Sequence, residues 1–162
     1  MIIALASSAI AYTYTCEEGR FTIDVPDDAE VSAPYESFLL SEYLSGTSSI
    51  DARCIDVDGP DWQLHVAWSK NQKDFQYFSL EEYYNGYLKN ATPPLAINKY
   101  MTHAEASSMN VDKGFVIRSN PDNYCTSVFV RGRKVFDLSG TWGDDTSMQK
   151  VVRILNSFRA LD

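Results

Sequence analysis

The sequence contains few residues of the kinds that bind metals or nucleic acids. Its 162 residues include two histidines and three cysteines, and the cysteines form no C-x-x-C pair, which argues against a zinc site. Lysine and arginine number 14 against 22 aspartates and glutamates, a formal net charge of −8. Nucleic acids and anionic membranes both attract clusters of lysine and arginine. We therefore predict no cofactor, no nucleic-acid partner and no anionic-membrane partner.

Long apolar runs and familiar catalytic motifs are also missing. No window approaches the roughly 18 apolar residues of a membrane span, so we expect no stable membrane anchor. The chain lacks G-x-S-x-G, G-x-x-x-x-G-K-[ST] and G-x-G-x-x-G, the patterns that expose a serine nucleophile or hold phosphates. His103-Ala104-Glu105 lacks the P-C-x-x-C partner of zinc deaminases, and Asp56–Asp61 lacks EF-hand spacing. These absences favour a protein that is not an enzyme.

The composition that remains is that of one folded domain. Hydrophobic residues make up 44% of the chain and charged residues 22%, which is ordinary for a soluble globular protein. A compact fold of this length buries about 68–70% of the surface of its unfolded chain. Such a core depends on neither disulfides nor metal.

The N-terminal segment has features of a secretory signal. Met1–Ala11 is apolar and ends in Ala9-Ile10-Ala11, a small-x-small pattern that signal peptidase cuts. No lysine or arginine precedes the run, and its length falls short of the usual range of roughly 15–30 residues. We predict a signal-peptide remnant at 1–11, a domain at 12–162, and a periplasmic or secreted location. The alternative is a cytoplasmic protein in which this segment is a buried first strand.

The three cysteines lie far apart in the sequence. In an exported protein two of them can pair, and Cys16, Cys54 and Cys125 allow three pairings. We take Cys16 and Cys54 as the candidate disulfide. Each also fits its strand as a small core residue, and Cys54 alternates there with Ile50 and Ala52.

Alternation of apolar and polar residues predicts strands that are joined mostly as hairpins. In one such segment Leu64, Val66 and Trp68 fall on one face and His65 on the other. The range 32–44 fits a strand and a short helix equally. The predicted strands are Tyr12–Cys16, Phe21–Val25, Ser48–Val57, Trp62–Ser69, Ala96–Thr102, Gly114–Arg118, Tyr124–Val130 and Val135–Thr141.

Two segments have the pattern of amphipathic helices. Ser79-Leu80-Glu81-Glu82 is a capping box, and apolar residues recur at helical spacing after it until Pro93-Pro94. Thr146-x-x-Gln149 is a second capping box, followed by an apolar stripe that reaches Phe158. Hairpins combined with two helices predict an α+β fold. We expect a single-domain sandwich in which helices cover a mostly antiparallel, twisted β-sheet.

Five segments spread over most of the chain share a pattern with a known superfamily. They are Arg20–Pro26, Ser79–Tyr83, Gly114–Ile117, Val128–Leu138 and Ile154–Arg159. In these residues and in the order of its elements the chain resembles the PsbP-like, or DcrB-like, proteins. That superfamily includes the PsbP subunit of photosystem II, the bacterial lipoprotein DcrB and the Eag-type chaperones of type VI secretion. The resemblance implies the PsbP-like fold and a binding, chaperone or assembly role, without a catalytic residue.

Tyrosine is the most informative residue type for partner binding. The ten tyrosines exceed what a core readily holds, since each buried hydroxyl needs a hydrogen-bond partner, and tyrosine is enriched at protein interfaces. The alternative is that they cover the sheet edge and the helix stripe. The candidate partner-binding residues are Tyr83, Tyr84 and Tyr87 of the first helix, His65, and Arg131 and Arg133 at a basic hairpin tip.

Together these observations predict a non-enzymatic, extracytoplasmic protein-binding or accessory protein whose protein partner has a basic surface. Its most concrete form is an immunity protein that neutralises a secreted toxin, because an acidic binder is attracted to a basic hydrolase. One alternative is a cytosolic chaperone of the type VI kind that binds an apolar helix. Another is a small-molecule or metal-binding enzyme built from His65, His103 and nearby acids.

Overall fold

The described residues form two antiparallel sheets. The computed structural model describes residues 11–39, 50–70 and 78–162. The main sheet has the strand order β3-β5-β6-β10-β9-β8-β7, and β4 pairs with β5 beside β3. Its strands are β3 (Glu30–Val31), β4 (Tyr35–Leu39), β5 (Ile50–Asp58), β6 (Trp62–Ser69), β7 (Leu95–Tyr100), β8 (Lys113–Ser119), β9 (Tyr124–Arg131) and β10 (Lys134–Trp142).

A smaller sheet and three helices complete the described parts of the chain. The small sheet consists of β1 (Ala11–Cys16), β2 (Phe21–Pro26) and β11 (Arg159–Ala160), in the order β1-β2-β11. The helices are α1 (Leu80–Asn90), α2 (His103–Ser108) and α3 (Asp145–Ser157). None of these helices is long and apolar enough to cross a membrane.

The two faces of the main sheet bury different sets of residues because side chains alternate along each strand. The first face, with Leu64, Val66 and Trp68 of β6, packs against α3, α2 and the small sheet. The second face, with Ala67 of β6 and Phe115 of β8, packs against α1. The main sheet is therefore covered on both sides, and the predicted α+β architecture of helices on a mostly antiparallel sheet is confirmed.

Aromatic contacts attach the small sheet to the first face. The ring of Phe21 on β2 lies 5.6 Å from that of Trp68 and 6.1 Å from that of Phe136, measured between centroids. Phe158, at the end of α3, stacks on Phe21 at 5.6 Å. These rings are buried, so the interface belongs to the protein core.

The hairpins follow the sequence pattern closely. Arg131 pairs with Lys134 across a two-residue turn, and Gly132 in that turn has a φ of 58°, the left-handed conformation that such tight turns require. The pairs β1–β2, β5–β6 and β9–β10 were all expected from alternation and are present. Within the ambiguous range 32–44, the described residues include strand β4, and 40–44 lie outside the described ranges.

One helix boundary and one whole helix differ from the predictions. The helix α3 begins at Asp145 with Asp144 as N-cap, whose carboxylate accepts a hydrogen bond from the backbone N–H of Ser147 at 2.8 Å. The predicted cap, Thr146, was thus two residues late, because an aspartate caps as well as a threonine does. The helix α2 was not predicted at all.

The candidate disulfide between Cys16 and Cys54 is wrong. All three cysteines are free and buried. Cys16 belongs to the core cluster on the first face of the main sheet, with Cys125, whereas Cys54 belongs to the cluster on the second face. The sheet separates the two thiols, so each serves as a small core residue.

Candidate functional site

A row of polar side chains crosses the second face of the main sheet. Asp56 on β5 pairs in register with His65 on β6, and His65 pairs in turn with Ser139 on β10. Paired residues of antiparallel strands point to the same face, so the three side chains stand next to one another. The row therefore results from the register of three consecutive neighbours in the sheet.

The most accessible part of this row is a histidine–carboxylate pair. His65 Nδ1 lies 2.8 Å from Asp56 Oδ1. Because an ionised carboxylate only accepts hydrogen bonds, the proton of this contact belongs to Nδ1. The side chain of His65 is 37% exposed and that of Asp56 is 23% exposed. The contact holds the imidazole at a fixed orientation beside solvent.

Tyr35 on β4 lies beside both members of the histidine–carboxylate pair. Its hydroxyl donates a hydrogen bond of 2.6 Å to Asp56 Oδ2 and lies 3.5 Å from His65 Nδ1. Burial, followed by the hydrogen bond to Asp56, raises the pKa of the Tyr35 phenol well above its ordinary value. The phenol therefore stays a donor, and Asp56 receives a hydrogen bond at each carboxylate oxygen.

A buried aspartate lies on the same face beneath α1. Asp137 of β10 is 5% exposed. Its Oδ2 accepts a hydrogen bond of 2.7 Å from the hydroxyl of Tyr87, and its Oδ1 accepts from Thr126 at 3.2 Å and from Ser139 at 3.1 Å. Burial raises the pKa of this carboxyl, and the hydrogen bonds and nearby His65 oppose that shift. The hydroxyl donors reduce the free-energy cost of burying the carboxyl, and the hydrogen bond from Tyr87 joins α1 to the sheet.

The geometry does not form a serine triad. The hydroxyl of Ser139 contacts Asp137, Thr126 at 3.2 Å and Tyr124 at 3.3 Å, and no hydrogen bond joins it to His65 in the described structure. Among the residues that can be described, no group of three or more His, Cys, Asp and Glu side chains could hold a metal ion. His103 lies on α2, which packs against β8, so it is not brought to His65.

One end of the molecule is strongly acidic. The turns between β2 and β3, β5 and β6, and β8 and β9, together with the start of α3, meet there. The backbone N–H of Gly143 donates to the carbonyl of Asp61 at 2.9 Å, and that of Trp142 to Asn123 at 3.2 Å. We call the exposed carboxylates at this end the acidic end: Asp27, Asp28, Glu30, Asp58, Asp61, Asp122, Asp144 and Asp145.

Few cations offset the acidic end. The turns at 27–29, 59–61, 120–123 and 143–144 contain no lysine or arginine. Within the described ranges, Lys150 forms the one ion pair to this group, with Asp28 at 2.5 Å. Hydrogen bonds from Ser119 lower the pKa of Asp122, and those from Ser147 lower the pKa of Asp144. These two carboxylates therefore keep their charge below neutral pH.

The three candidate tyrosines of α1 differ in how deeply they are buried. Tyr83 and Tyr87 are 0% and 5% exposed and form part of the core beneath α1, so neither offers a surface to a partner. Tyr84 is half-buried, with its ring 4.5 Å from that of Tyr100 and its hydroxyl donating to Asn98. The large exposed aromatics in the described ranges are instead Tyr12, Tyr35 and Tyr100.

The basic hairpin tip lies at the opposite end of the sheet from the acidic end. Arg131 is bound within the protein, to Asp112 at 3.4 Å and to Asp162 at 2.9 Å. Arg133 is exposed in the turn. Because Asp112 and Asp162 neutralise the charge of Arg131, the hairpin tip presents less positive charge than the sequence indicates.

No family model matches the chain, and no curated protein matches it significantly. The resemblance to the PsbP-like superfamily therefore remains a prediction, carried by the segments quoted above and not by a measured similarity.

Sequence reasoning missed the acidic end and most of the polar row. The eight carboxylates are scattered over the sequence from Asp27 to Asp145, and only the turns of the folded sheet bring them together. The Asp56–His65 contact did have a signal. A hairpin closed around the turn 59–61 places Asp56 opposite His65 by counting outward from the turn.

Proposed function

We propose that this protein is a non-enzymatic binding protein that engages the basic surface of a protein partner through its acidic end. The observation that carries the proposal is the segregation of charge: eight exposed carboxylates at one end of the sheet, with a single lysine paired to them within the described ranges. The proposal includes the extracytoplasmic location that the N-terminal segment suggests, and an immunity protein against a basic secreted toxin is its most concrete form.

Electrostatics favours this function over one based on the tyrosines. A surface of one sign attracts an oppositely charged protein over about 8–10 Å at physiological salt and accelerates association by 10-fold or more. Tyr83 and Tyr87 are buried in the core and cannot add apolar contacts to an interface. The partner is therefore recognised first by charge, and its binding weakens as salt is added.

Charge neutralisation at the acidic end tests the proposal. The variant Asp27→Asn, Glu30→Gln, Asp58→Asn removes three exposed carboxylates there, and Glu17→Gln, Asp51→Asn, Glu81→Gln removes three exposed carboxylates elsewhere. Both variants change the net charge from −8 to −5. The immobilised full chain is used to capture protein from an extract of the source cells, and the captured protein is then purified for binding kinetics.

The expected partner is basic and binds the wild type and the control variant alike. Its association rate with the acidic-end variant falls about 10-fold at low salt, and this difference disappears near 0.5 M salt. Capture of no protein by the wild type, or equal association rates for the two variants, would refute the proposal.

The chaperone alternative has less support from the described structure. A chaperone of that kind needs an open apolar sheet face, whereas α3 and the small sheet cover the first face and α1 covers part of the second. Among the described residues, the part of the second face on β4, β5 and β6 that α1 leaves open carries Tyr35, Asp56 and His65, which are polar. A polar surface does not favour the burial of an apolar helix.

The Asp56–His65 pair favours a second candidate function, proton transfer at the free side of the imidazole. A carboxylate that holds Nδ1 leaves Nε2 to act as a general base, a role that contributes about 10²–10⁴-fold to a rate. The test compares hydrolysis of p-nitrophenyl acetate by the wild type, His65→Gln and His103→Gln. A rate that falls at least 100-fold in His65→Gln alone supports it, and equal rates in all three proteins exclude it.

A further inference from the structure

A cavity of about 130 Å³ lies on the first face of the main sheet, between α3 and the strands β7, β8 and β9. Its floor is formed by buried Cys125, Ser127 and Phe129 of β9, and its rim by half-buried Val152 and exposed Asn156 of α3. None of the acidic end's eight carboxylates lines the cavity, and the Asp56–His65 pair belongs to the second face of the sheet.

Arg118 of β8 lines this cavity and is its one charged lining residue, among mostly apolar side chains with Ser127 and Asn156. It pairs in register with Cys125, so its side chain points to the first face as Cys125 does. Its Nε is buried and has no hydrogen-bond partner. None of the ion pairs in the described ranges involves Arg118. The Nε–H of this half-buried side chain has therefore lost water without gaining an acceptor from the protein.

The neighbouring protein groups cannot supply the missing anion. Burial raises the pKa of the Cys125 thiol to about 12, so the sulfur next to Arg118 is uncharged near neutral pH. The hydroxyl of Ser127, on the floor of the cavity, makes no side-chain hydrogen bond in the described contacts, so it adds a second donor there. Arg118 and Ser127 are close, since Ser127 pairs with Val116, two residues before Arg118.

We propose that this cavity binds a small apolar carboxylate, with the carboxylate on Arg118 and Ser127 and the apolar body against Phe129, Met109 and Val152. Arginine binds a carboxylate through two parallel hydrogen bonds, and such charge-assisted bonds are stronger where water is excluded. The volume limits the apolar part of the ligand. A protein cavity of about 150 Å³ holds benzene, and this one is slightly smaller, so the apolar body is no larger than a benzene ring or a short alkyl chain and the carboxylate extends from it toward the open rim.

The test uses the full chain and two pairs of matched probes, benzoate with benzamide and hexanoate with hexanamide. Each probe is titrated into the nitrogen-labelled protein, and backbone amide shifts are followed by NMR. We expect benzoate to half-saturate the protein near or below about 1 mM and to shift the amides of β8, β9 and α3 around the cavity. Benzamide, which has the same shape without the charge, is expected to bind at least about 10-fold more weakly.

Three variants separate charge recognition from simple filling of space. Arg118→Met is expected to weaken benzoate binding by about 10-fold to 100-fold and to leave benzamide binding unchanged. Arg153→Met, at an exposed arginine of α3 that does not line the cavity, controls for the loss of one positive charge. Val152→Phe fills the cavity and is expected to abolish binding of both probes while keeping Arg118 in place.

Three results would overturn the proposal: no shift with either carboxylate at about 10 mM, equal affinity for benzoate and benzamide, or unchanged benzoate binding in Val152→Phe. If Arg118→Met does not fold, the comparison of benzoate with benzamide and the Val152→Phe variant still decide the question. The proposal is independent of the acidic end, so the capture experiment and these titrations can fail separately.

Discussion

The buried carboxyl of Asp137 predicts an unusual pH dependence of stability. Its pKa is raised by burial in the folded protein above the ordinary value of 3.8. At pH values between the ordinary pKa and the raised pKa of the folded state, the carboxyl is protonated in the folded protein and ionised in the unfolded chain. The free energy of unfolding therefore falls as pH rises through this interval. The maximal slope is about 1.4 kcal/mol per pH unit for one proton. Above the folded pKa the cost of the buried charge is fully present.

Replacement by asparagine isolates this contribution. Asp137→Asn keeps the shape and one carbonyl oxygen for the hydroxyls of Thr126 and Ser139, and it cannot ionise. The difference in unfolding free energy, variant minus wild type, is expected to become more favourable to the variant as pH rises from about 4 and to level off above the folded pKa. Other titrating groups are common to both proteins and largely cancel in this difference.

The assay is urea unfolding at intervals between about pH 3.5 and pH 8, with Asp27→Asn as a control for the loss of one exposed negative charge. The control accounts for changes in net charge alone. A difference curve that is flat over the whole range, or that slopes toward the wild type as pH rises, would refute the argument. Either result would mean that the hydrogen bonds from Tyr87, Thr126 and Ser139 outweigh the burial of the carboxyl.

Three further predictions concern stability. Hydrogen bonds from Lys99 and Thr102 lower the pKa of Glu105 to about 2, so Glu105→Gln is expected to lose up to about 1 kcal/mol at pH 7 and progressively less as pH falls toward 2, measured by urea unfolding. A Cβ at Gly140 would overlap Val151 of α3, so Gly140→Ala is expected to lose about 1–3 kcal/mol, whereas Gly143→Ala, whose Cβ would meet no atom closer than 3.4 Å, is expected to lose less than about 1 kcal/mol. Phe21→Ala is expected to lose about 3–5 kcal/mol in thermal unfolding, because Phe21 is fully buried among three aromatic rings. A loss below about 1 kcal/mol in Gly140→Ala or in Phe21→Ala would contradict the packing of α3 and of the small sheet against the main sheet.

The longer strands and the pairs β1–β2, β5–β6 and β9–β10 could be predicted because hairpins are local, whereas the short strands β3 and β11 and the pairing of β6 with β10 were not predicted. Alternation along Trp62–Ser69 assigned Leu64, Val66 and Trp68 to one face and His65 to the other, as observed. The helix α2 was missed although Thr102-x-x-Glu105 is a capping box, with both reciprocal hydrogen bonds present. Its six residues are too few to show an apolar stripe, and only Ala106 among them is buried.

Apart from the Asp56–His65 contact, which a local hairpin sets, the functional features could not be predicted, because each depends on contacts between distant segments. Whether a tyrosine lies in the core or at the surface is set by tertiary packing: Tyr87 is buried because its hydroxyl reaches Asp137, 50 residues away. Arg118 stands in a regular alternating strand and resembles a solvent-exposed residue in the sequence. It becomes a candidate anion site only because α3 closes over that face and leaves a cavity. The net charge of the chain thus divides in the fold into two separate features, an acidic end and a half-buried arginine whose Nε has no partner, and these call for ligands of opposite sign.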